Sequence, residues 1–254
     1  MANITTKSLT LKGGLPGFLA VPANAKGRVP AVVLMHERYG FVKHTQDLAE
    51  RFAHDGFVCL APDCFYRHPD QKALHAGDSR YDLTDPESVE YLSIAIDALK
   101  DVKEADPDKV AVKGVCQTGR HPLVLAAERP IGAALVWYGA ASKREWDVSK
   151  EQPKPFEETL AKIDCPVLGV FGEADHIISL DDVCKFRNVL EKHKKSYEIH
   201  CFKGAPHGWL NDTMPGRYRR EQAEAGWAVQ RNFLEEVFGP DRKSTRLNSS
   251  HGYI

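Results

Sequence analysis

The chain has 254 residues, enough for one large α/β domain or two small ones. Lys and Arg (34) nearly balance Asp and Glu (35), so the formal net charge of -1 argues against a dedicated nucleic-acid binder and against a polybasic membrane anchor. Hydrophobic residues make up 43% and charged residues 27%, which is typical of a globular chain, and no apolar run approaches the roughly 20 residues of a membrane span.

Strand and helix patterns alternate along the chain. The apolar runs predict an N-terminal hairpin over 9–11 and 17–21, and strands over 31–35, 57–61, 110–112, 133–138, 166–171 and 197–202. Helical spacing predicts helices over 45–54, 86–104, 117–128, 180–194 and 217–238, with Thr45 and Ser179 as N-caps. The polar segment 62–84 is expected to form a loop or short helices. The alternation predicts an α/β fold with a mostly parallel, doubly wound sheet and helices on both faces, in a single domain over 1–240.

The last residues, 241–254, lack any periodicity and resemble translated sequencing-adapter sequence. They are predicted to be a non-native or disordered tail without a function.

The six cysteines stand at 59, 64, 116, 165, 184 and 201, and none forms a C-x-x-C pair, so no zinc ribbon or redox motif is indicated. Because the N-terminal residues lack the apolar core of a signal peptide, we expect reduced thiols and a cytoplasmic location.

The segment around Cys116 has the arrangement of a nucleophile elbow, in which a buried strand ends at the nucleophile and a helix follows. A nucleophile on such a sharp turn needs small neighbours two positions away, and the helix N-terminus favours a thiolate. Gly114 fits this pattern, whereas Thr118 stands where Gly is usual, with Gly119 next to it. The alternative is that Cys116 is a buried structural cysteine, as Cys59 is expected to be.

A base and an orienting acid are expected at the ends of two later strands. Asp175 follows the strand over 166–171, and His207 follows the last strand. Open α/β sheets place their sites at this edge, and the chain order of Cys116, Asp175 and His207 is that of an α/β-hydrolase triad. Taken singly, Asp175 fits a cap or turn and His207 fits a surface loop. His176 is a poor base, because an adjacent ring does not easily turn onto the Asp175 carboxylate.

The chain resembles the dienelactone hydrolase family of α/β-hydrolases, through the motifs over 35–40, 114–117, 172–175 and 206–212. The resemblance implies an α/β-hydrolase fold and a Cys-His-Asp triad that hydrolyses lactones or esters, with no metal and no cofactor. It also implies that the carboxylate of Glu37 takes the thiol proton. The backbone N–H groups of Arg38 and Gln117 would then form the oxyanion hole, a feature that is worth a few kcal/mol in such sites. The alternative for Glu37 is a salt bridge at a strand end.

The chain departs from the family in the region that binds substrate. Family members that act on dienelactone hold its carboxylate with arginines, and Asn211 stands where one of them is expected. Tyr81, Tyr138, Trp209 and Asn211 are the predicted substrate-binding residues. Glu37 is either held by another cation, for which Arg38 and Arg120 are nearest in sequence, or it faces Cys116 and shares one proton with it. The second arrangement is the one we expect, and it favours neutral esters.

The predicted protein is a monomeric hydrolase of lactones or small carboxylic esters that works through a thioester acyl-enzyme. Its expected partner is a small-molecule substrate, with no nucleic acid and no membrane. The second hypothesis is a general carboxylesterase on neutral esters, including polyester fragments. The third is a catalytically silent binding module on the same fold, which an incomplete triad would indicate.

Overall fold

The computed structural model describes residues 3–239 and 248–250, and strands alternate with helices along most of this length. The strands are β1 (Ile4–Thr10), β2 (Pro16–Pro22), β3 (Val29–Leu34), β4 (Val58–Pro62), β5 (Ala105–Val115), β6 (Ala133–Trp137), β7 (Val167–Gly172), β8 (Tyr197–Phe202) and β9 (Asn248–Ser250). The α-helices are α1 (Lys43–His54), α2 (Gln71–Ala76), α3 (Asp85–Ala98), α4 (His121–Glu128), α5 (Phe156–Ala161), α6 (Leu180–Lys192) and α7 (Arg220–Phe238). Short 3-10 helices occupy Lys12–Gly14, Leu99–Asp101, Cys116–Arg120 and Lys143–Trp146.

The chain divides into two compact units between Lys113 and Gly114. In the first unit the strand order is β1-β2-β4-β3-β5. The predicted N-terminal hairpin is confirmed, since β1 pairs with β2 in antiparallel fashion, and β2 pairs likewise with β4. Parallel pairing begins at β4-β3 and continues at β3-β5. Helix α1 packs on β2 and β4, and buries Leu48, Ala49 and Phe52 on one face.

The second unit carries β6, β7 and β8 as parallel neighbours. Strands β6 and β7 are buried along their whole length, which explains their continuous apolar sequences, and β8 is mostly buried. Helix α7 packs on all three strands, and α4 packs on β6 and α5. One apolar cluster of this unit contains Leu123, Val136, Phe156, Leu160, Val167, Phe171, Phe186, Leu190 and Ile199.

The predicted strands are confirmed, whereas several helix boundaries were wrong. Thr45 lies inside α1, which begins at Lys43 without a side-chain cap. The predicted cap Ser179 is confirmed, because its hydroxyl accepts the Asp182 N–H and the Asp182 carboxylate accepts the Ser179 N–H. Helix α3 ends at Ala98 and continues only as a 3-10 turn.

Two further helical predictions need correction. The helix expected over 117–128 is a 3-10 turn followed by α4, where Pro122 occupies the first turn and its missing N–H costs no hydrogen bond. Helix α7 begins at Arg220, three residues later than expected. Helix α5 was not predicted at all.

The predicted tail over 241–254 falls mostly outside the described residues. Its described part, 248–250, forms β9 and pairs in parallel with β8. The single domain over 1–240 and the non-native character of the tail stay predictions. No helix among the described residues combines the length and the apolar character that crossing a bilayer requires.

Candidate active site

Three predicted catalytic residues follow the carboxyl ends of three strands. Cys116 comes directly after β5, Asp175 follows β7, and His207 follows β8. In open α/β folds the loops at this edge carry the ligand site, because each strand delivers its next residues to the same place.

Cys116 occupies a strained turn. Its φ is 57°, in the left-handed region that a residue with a Cβ rarely adopts. The turn is tight, because a Cβ on Gly114 would lie 2.3 Å from the Thr118 carbonyl oxygen. A Cβ on Gly119 would lie 2.7 Å from the Cα of Gly139. The second small residue of this elbow is therefore Gly119, which lets the chain after β6 approach closely.

The side chain of Thr118 explains why the departure from the usual glycine is tolerated. Its hydroxyl accepts the Val115 N–H at 3.0 Å and donates to the Val115 carbonyl at 3.0 Å. The side chain is fully buried. Thr118 thus pins the end of β5 to the turn.

A continuous chain of hydrogen bonds joins the three residues. The Cys116 Sγ lies 3.1 Å from His207 Nε2, and His207 Nδ1 lies 2.8 Å from Asp175 Oδ2. The other carboxylate oxygen of Asp175 accepts the N–H groups of Ile177 at 2.8 Å and Ile178 at 3.1 Å. Both oxygens of Asp175 are therefore engaged, which fixes the carboxylate and orients the imidazole.

The surroundings of His207 favour its protonated form. Burial lowers the pKa of the ring, but the hydrogen bonds and charges of Asp175 and Cys116 outweigh burial and raise the pKa to about 10. At neutral pH the ring therefore carries protons on both nitrogens. Nδ1–H donates to Asp175, and Nε2–H points to the sulfur of Cys116.

Two predicted substrate-binding residues pack inside the protein beside His207. The ring of Tyr138 meets His207 edge-on at 5.3 Å between centroids, and Tyr138 itself has a φ of 35°. Trp209 lies against Tyr138 at 5.9 Å and against Trp137 at 5.2 Å. Both predicted residues are 0% exposed, so their position suits support of the histidine loop, and their contact with substrate stays a prediction.

Asn211 is also buried, and its side chain is used within its own loop. Its Oδ1 accepts the N–H of Thr213 at 3.0 Å and the Thr213 hydroxyl at 2.6 Å, which forms an Asx turn. A cationic side chain at this position would not make the same turn. Asn211, which stands where the resemblance leads one to expect a carboxylate-binding arginine, therefore shapes its own loop. Its role in substrate binding stays a prediction.

The predicted carboxylate Glu37 lies in the first unit, in a tight turn after β3. Its carbonyl accepts the N–H of Gly40 at 3.2 Å, and Gly40 has a φ of 73°. The same carbonyl accepts a hydrogen bond from His36 Nδ1 at 2.9 Å. The Glu37 side chain is buried.

His36, which the sequence reasoning missed, holds this turn as a neutral ring. Its Nε2 lies 3.1 Å from the backbone N–H of Cys64, which can only donate. Nε2 is therefore the acceptor, and the single ring proton sits on Nδ1 and binds the Glu37 carbonyl. Burial lowers the pKa of His36 against the opposing charge of Asp63, which agrees with a neutral ring. A histidine beside the expected carboxylate was the available sequence signal.

Lys113 is a second group that the sequence reasoning missed. This lysine is fully buried, with its Nζ 5.5 Å from the centroid of the Phe52 ring. Burial lowers its pKa well below the ordinary value, and the charge of Glu37 opposes that shift. A lysine in an apolar strand was the sequence signal.

The other cations considered for Glu37 have partners of their own. Arg38 donates to the Gly77 carbonyl at 2.8 Å. Arg120 is buried, donates to the Glu145 carbonyl at 2.9 Å and lies over the Phe156 ring.

Gln117 lies in the 3-10 turn after Cys116, as expected of an oxyanion-hole residue. Tyr81 donates to Glu87 at 3.1 Å. The oxyanion-hole and substrate roles stay predictions.

The sequence matches the dienelactone hydrolase family over residues 15–238. The chain belongs to the dienelactone hydrolase family. It is 28% identical over 221 residues to a Methylorubrum extorquens protein provisionally named carboxymethylenebutenolidase, with 85% of this chain and 74% of the relative covered. It is also 28% identical over 261 residues to a Saccharolobus solfataricus protein of the same provisional name, with 87% of this chain and 93% of the relative covered.

Solved structures confirm the predicted α/β-hydrolase fold of this family member. The crystal structure of a provisionally named dienelactone hydrolase from Klebsiella pneumoniae superposes with a TM-score of 0.82 at 25% identity, covering 92% of this chain and 99% of that chain. An acylaminoacyl peptidase from Pyrococcus horikoshii shares the fold at 13% identity, with a TM-score of 0.73, and covers 96% of this chain and 43% of its own. The chain is therefore a hydrolase of the dienelactone hydrolase family.

Proposed function

We propose that this family member hydrolyses lactones or small carboxylic esters with Cys116 as nucleophile, His207 as acid and base, and Asp175 as the orienting carboxylate. The observation that carries the proposal is the unbroken hydrogen-bond chain from the Cys116 sulfur through His207 to Asp175. Nucleophile, base and orienter in mutual contact are what covalent catalysis requires.

In the proposed acylation step, the Cys116 thiolate attacks the ester carbonyl carbon and a C–S bond forms. The C–O bond to the leaving oxygen then breaks, and that oxygen takes the Nε2 proton of His207. The raised pKa of His207 supports this order, because the ring already holds the proton that the alcohol needs. The products of the step are a thioester and a free alcohol.

In the proposed deacylation step, neutral His207 takes a proton from water, whose oxygen attacks the thioester carbon. The C–S bond breaks, the acid leaves, and the thiolate pairs again with the protonated ring. Acylation removes the sulfur charge and its hydrogen bond, two of the interactions that raise the His207 pKa. The ring therefore becomes a better base for water at the point where the reaction needs one.

We further propose that the N–H groups of Arg38 and Gln117 stabilise the oxyanion, and that Glu37 assists loss of the thiol proton. The position of Gln117 in the turn after the nucleophile supports the first assignment. The hydrogen bond from neutral His36 to the Glu37 carbonyl fixes the turn that contains Arg38, which supports Arg38 as the other N–H donor of the oxyanion hole.

The relatives support a lactone or ester substrate. They include carboxymethylenebutenolidases by provisional name and a Bradyrhizobium protein provisionally named 2-oxo-3-(5-oxofuran-2-ylidene)propanoate lactonase, 25% identical over 225 residues. The second candidate function is a general carboxylesterase on neutral esters. The Asx turn of Asn211 favours it, because a neutral side chain stands where a carboxylate-binding arginine is expected.

The test is a hydrolysis screen across lactones and aryl esters of different chain length and charge. Cys116→Ala should lower turnover of every active substrate by at least ~10³-fold with an unchanged circular dichroism spectrum. Cys184→Ala is the matched control, because Cys184 is exposed on α6, and it should keep the wild-type rate. Wild-type rates in Cys116→Ala on all active substrates would overturn the proposal.

A further inference from the structure

Two large hydrophobic side chains among the described residues stand in solvent, Val148 at 60% exposure and Ile177 at 50%. A single exposed apolar side chain is common and needs no explanation. Ile177 differs from Val148 because its backbone is tied to the triad, through the N–H that donates to Asp175 Oδ1 at 2.8 Å. Its side chain is thus presented to solvent from a rigid position.

The neighbouring residue places this segment beside the catalytic histidine. The ring of His176 lies 6.1 Å from the His207 ring between centroids, with the two planes at 81°. The side chain of His176 is itself exposed. We call His176 and Ile177 the histidine rim, because His176 lies beside the His207 ring and the exposed Ile177 follows it in the chain.

The chemistry says which part of a substrate must pass this rim. The leaving oxygen has to come within hydrogen-bond distance of His207 Nε2 to take its proton, whereas the acyl carbon bonds to the Cys116 sulfur. The alcohol portion attached to that oxygen therefore lies on the His207 side of the nucleophile, and His176 of the histidine rim is an exposed side chain that neighbours His207.

We propose that Ile177 contacts the alcohol portion of the substrate and selects esters whose alcohol portion is apolar. This inference rests on the proposed ester hydrolysis and adds the part of the substrate that is recognised. Covering the exposed half of an isoleucine side chain with an alkyl group removes apolar surface from water, which favours the bound state by about fivefold.

The experiment compares two ester series at neutral pH. Methyl, butyl and hexyl acetate vary only the alcohol portion, and ethyl acetate, butanoate and hexanoate vary only the acyl portion. In Ile177→Ser the gain in kcat/KM from methyl to hexyl acetate should fall about fivefold, while the gain along the acyl series stays at the wild-type value. Ile177→Leu should keep both gains, because it keeps the apolar contact.

The kcat values give a readout that a general loss of structure would not produce. All acetates pass through the same acetyl-enzyme, so where deacylation limits turnover, kcat should be equal in wild type and Ile177→Ser. Val148→Ser is the matched control and should leave both series unchanged. An equal fall in both series, no change in either, or the same fall in Val148→Ser would overturn the inference.

The failure of the proposed function would look different. Hydrolysis of these esters that does not depend on Cys116, or no hydrolysis of any ester or lactone, would overturn the proposed function and this inference with it. Cys116-dependent hydrolysis with an unaltered alcohol preference in Ile177→Ser would overturn the inference alone.

Discussion

Cys59 and Cys116 carry the same side chain in opposite surroundings. Cys59 lies within β4 and is fully buried, and burial raises the pKa of its thiol, opposed only in part by the charge of Lys113. Cys116 lies one residue past the end of β5, half-buried, in the left-handed conformation and 3.1 Å from His207. Position at a strand end, a strained turn and an imidazole partner distinguish a candidate nucleophile from an inert core residue.

The largest expected effect that separates these two cysteines is on alkylation. Iodoacetamide should modify Cys116 in the folded protein at pH 7 and leave Cys59 unmodified until the chain unfolds. His207→Gln should slow the modification of Cys116 about 30-fold at pH 7, because a thiol without the imidazolium partner has the ordinary pKa of about 8.5 and is only about 3% thiolate at that pH. Peptide mass spectrometry after timed quenching measures both sites, and equal rates in wild type and His207→Gln would contradict the proposed pairing.

The pH dependence of the same reaction sharpens the comparison. A group with a pKa of about 10 stays protonated as the pH rises from 6.5 to 9, so the proposed ion pair of His207 with the Cys116 sulfur would persist and the wild-type rate should change little over that range. In His207→Gln the thiol has no such partner, and its rate should rise about tenfold per pH unit up to the ordinary cysteine pKa of about 8.5. Parallel pH profiles for the two proteins would argue against the ion pair.

The parts of this site that were predictable from the sequence depend on short-range patterns. The end of a buried strand at Gly114 and Cys116, and the order of Asp175 and His207 after later strands, need only strand periodicity and chain order. The α/β fold follows from the same alternation. Each strand end can be recognised within a short segment, and only the order of these segments along the chain links the three residues.

The features of the site that could not be predicted from the sequence depend on contacts between distant segments of the chain. Gly119 is required because Gly139, twenty residues later, approaches it, and no periodicity encodes that approach. The Asx turn that occupies Asn211 and the burial of Trp209 depend on how the histidine loop packs. The helix expected after Cys116 begins as a 3-10 turn, since the Thr118 hydroxyl bonds back to Val115.

The turn that carries Cys116, unlike the strand β4 that carries Cys59, depends on the close approach of Gly139 to Gly119. A Cβ on Gly139 would lie 2.5 Å from the Cys116 carbonyl oxygen and 2.8 Å from the Gly119 Cα, and backbone atoms cannot move aside as a flexible side chain can. Gly139→Ala should therefore cost about 2–3 kcal/mol of unfolding free energy and lower turnover as well.

The matched control for this substitution is Gly216→Ala. A Cβ on Gly216 would meet no described atom within 4 Å, and its φ is not in the left-handed region. The control should stay within about 0.5 kcal/mol of wild type. Urea unfolding curves and initial rates measure both variants, and equal stabilities would show that the elbow does not depend on this approach.

The smallest expected effect concerns the hydroxyl that pins the elbow to β5. Thr118→Val keeps the shape of the buried side chain but removes the hydrogen bonds to the N–H and the carbonyl of Val115, which should cost about 1–2 kcal/mol. Thr118→Ser keeps both bonds and loses only a methyl group, so it should cost less. Because the hydroxyl also sets the turn that presents Cys116, Thr118→Val should slow iodoacetamide modification severalfold while Thr118→Ser does not. If serine were as damaging as valine in both assays, packing of the methyl group, and not the hydrogen bonds, would hold the nucleophile turn.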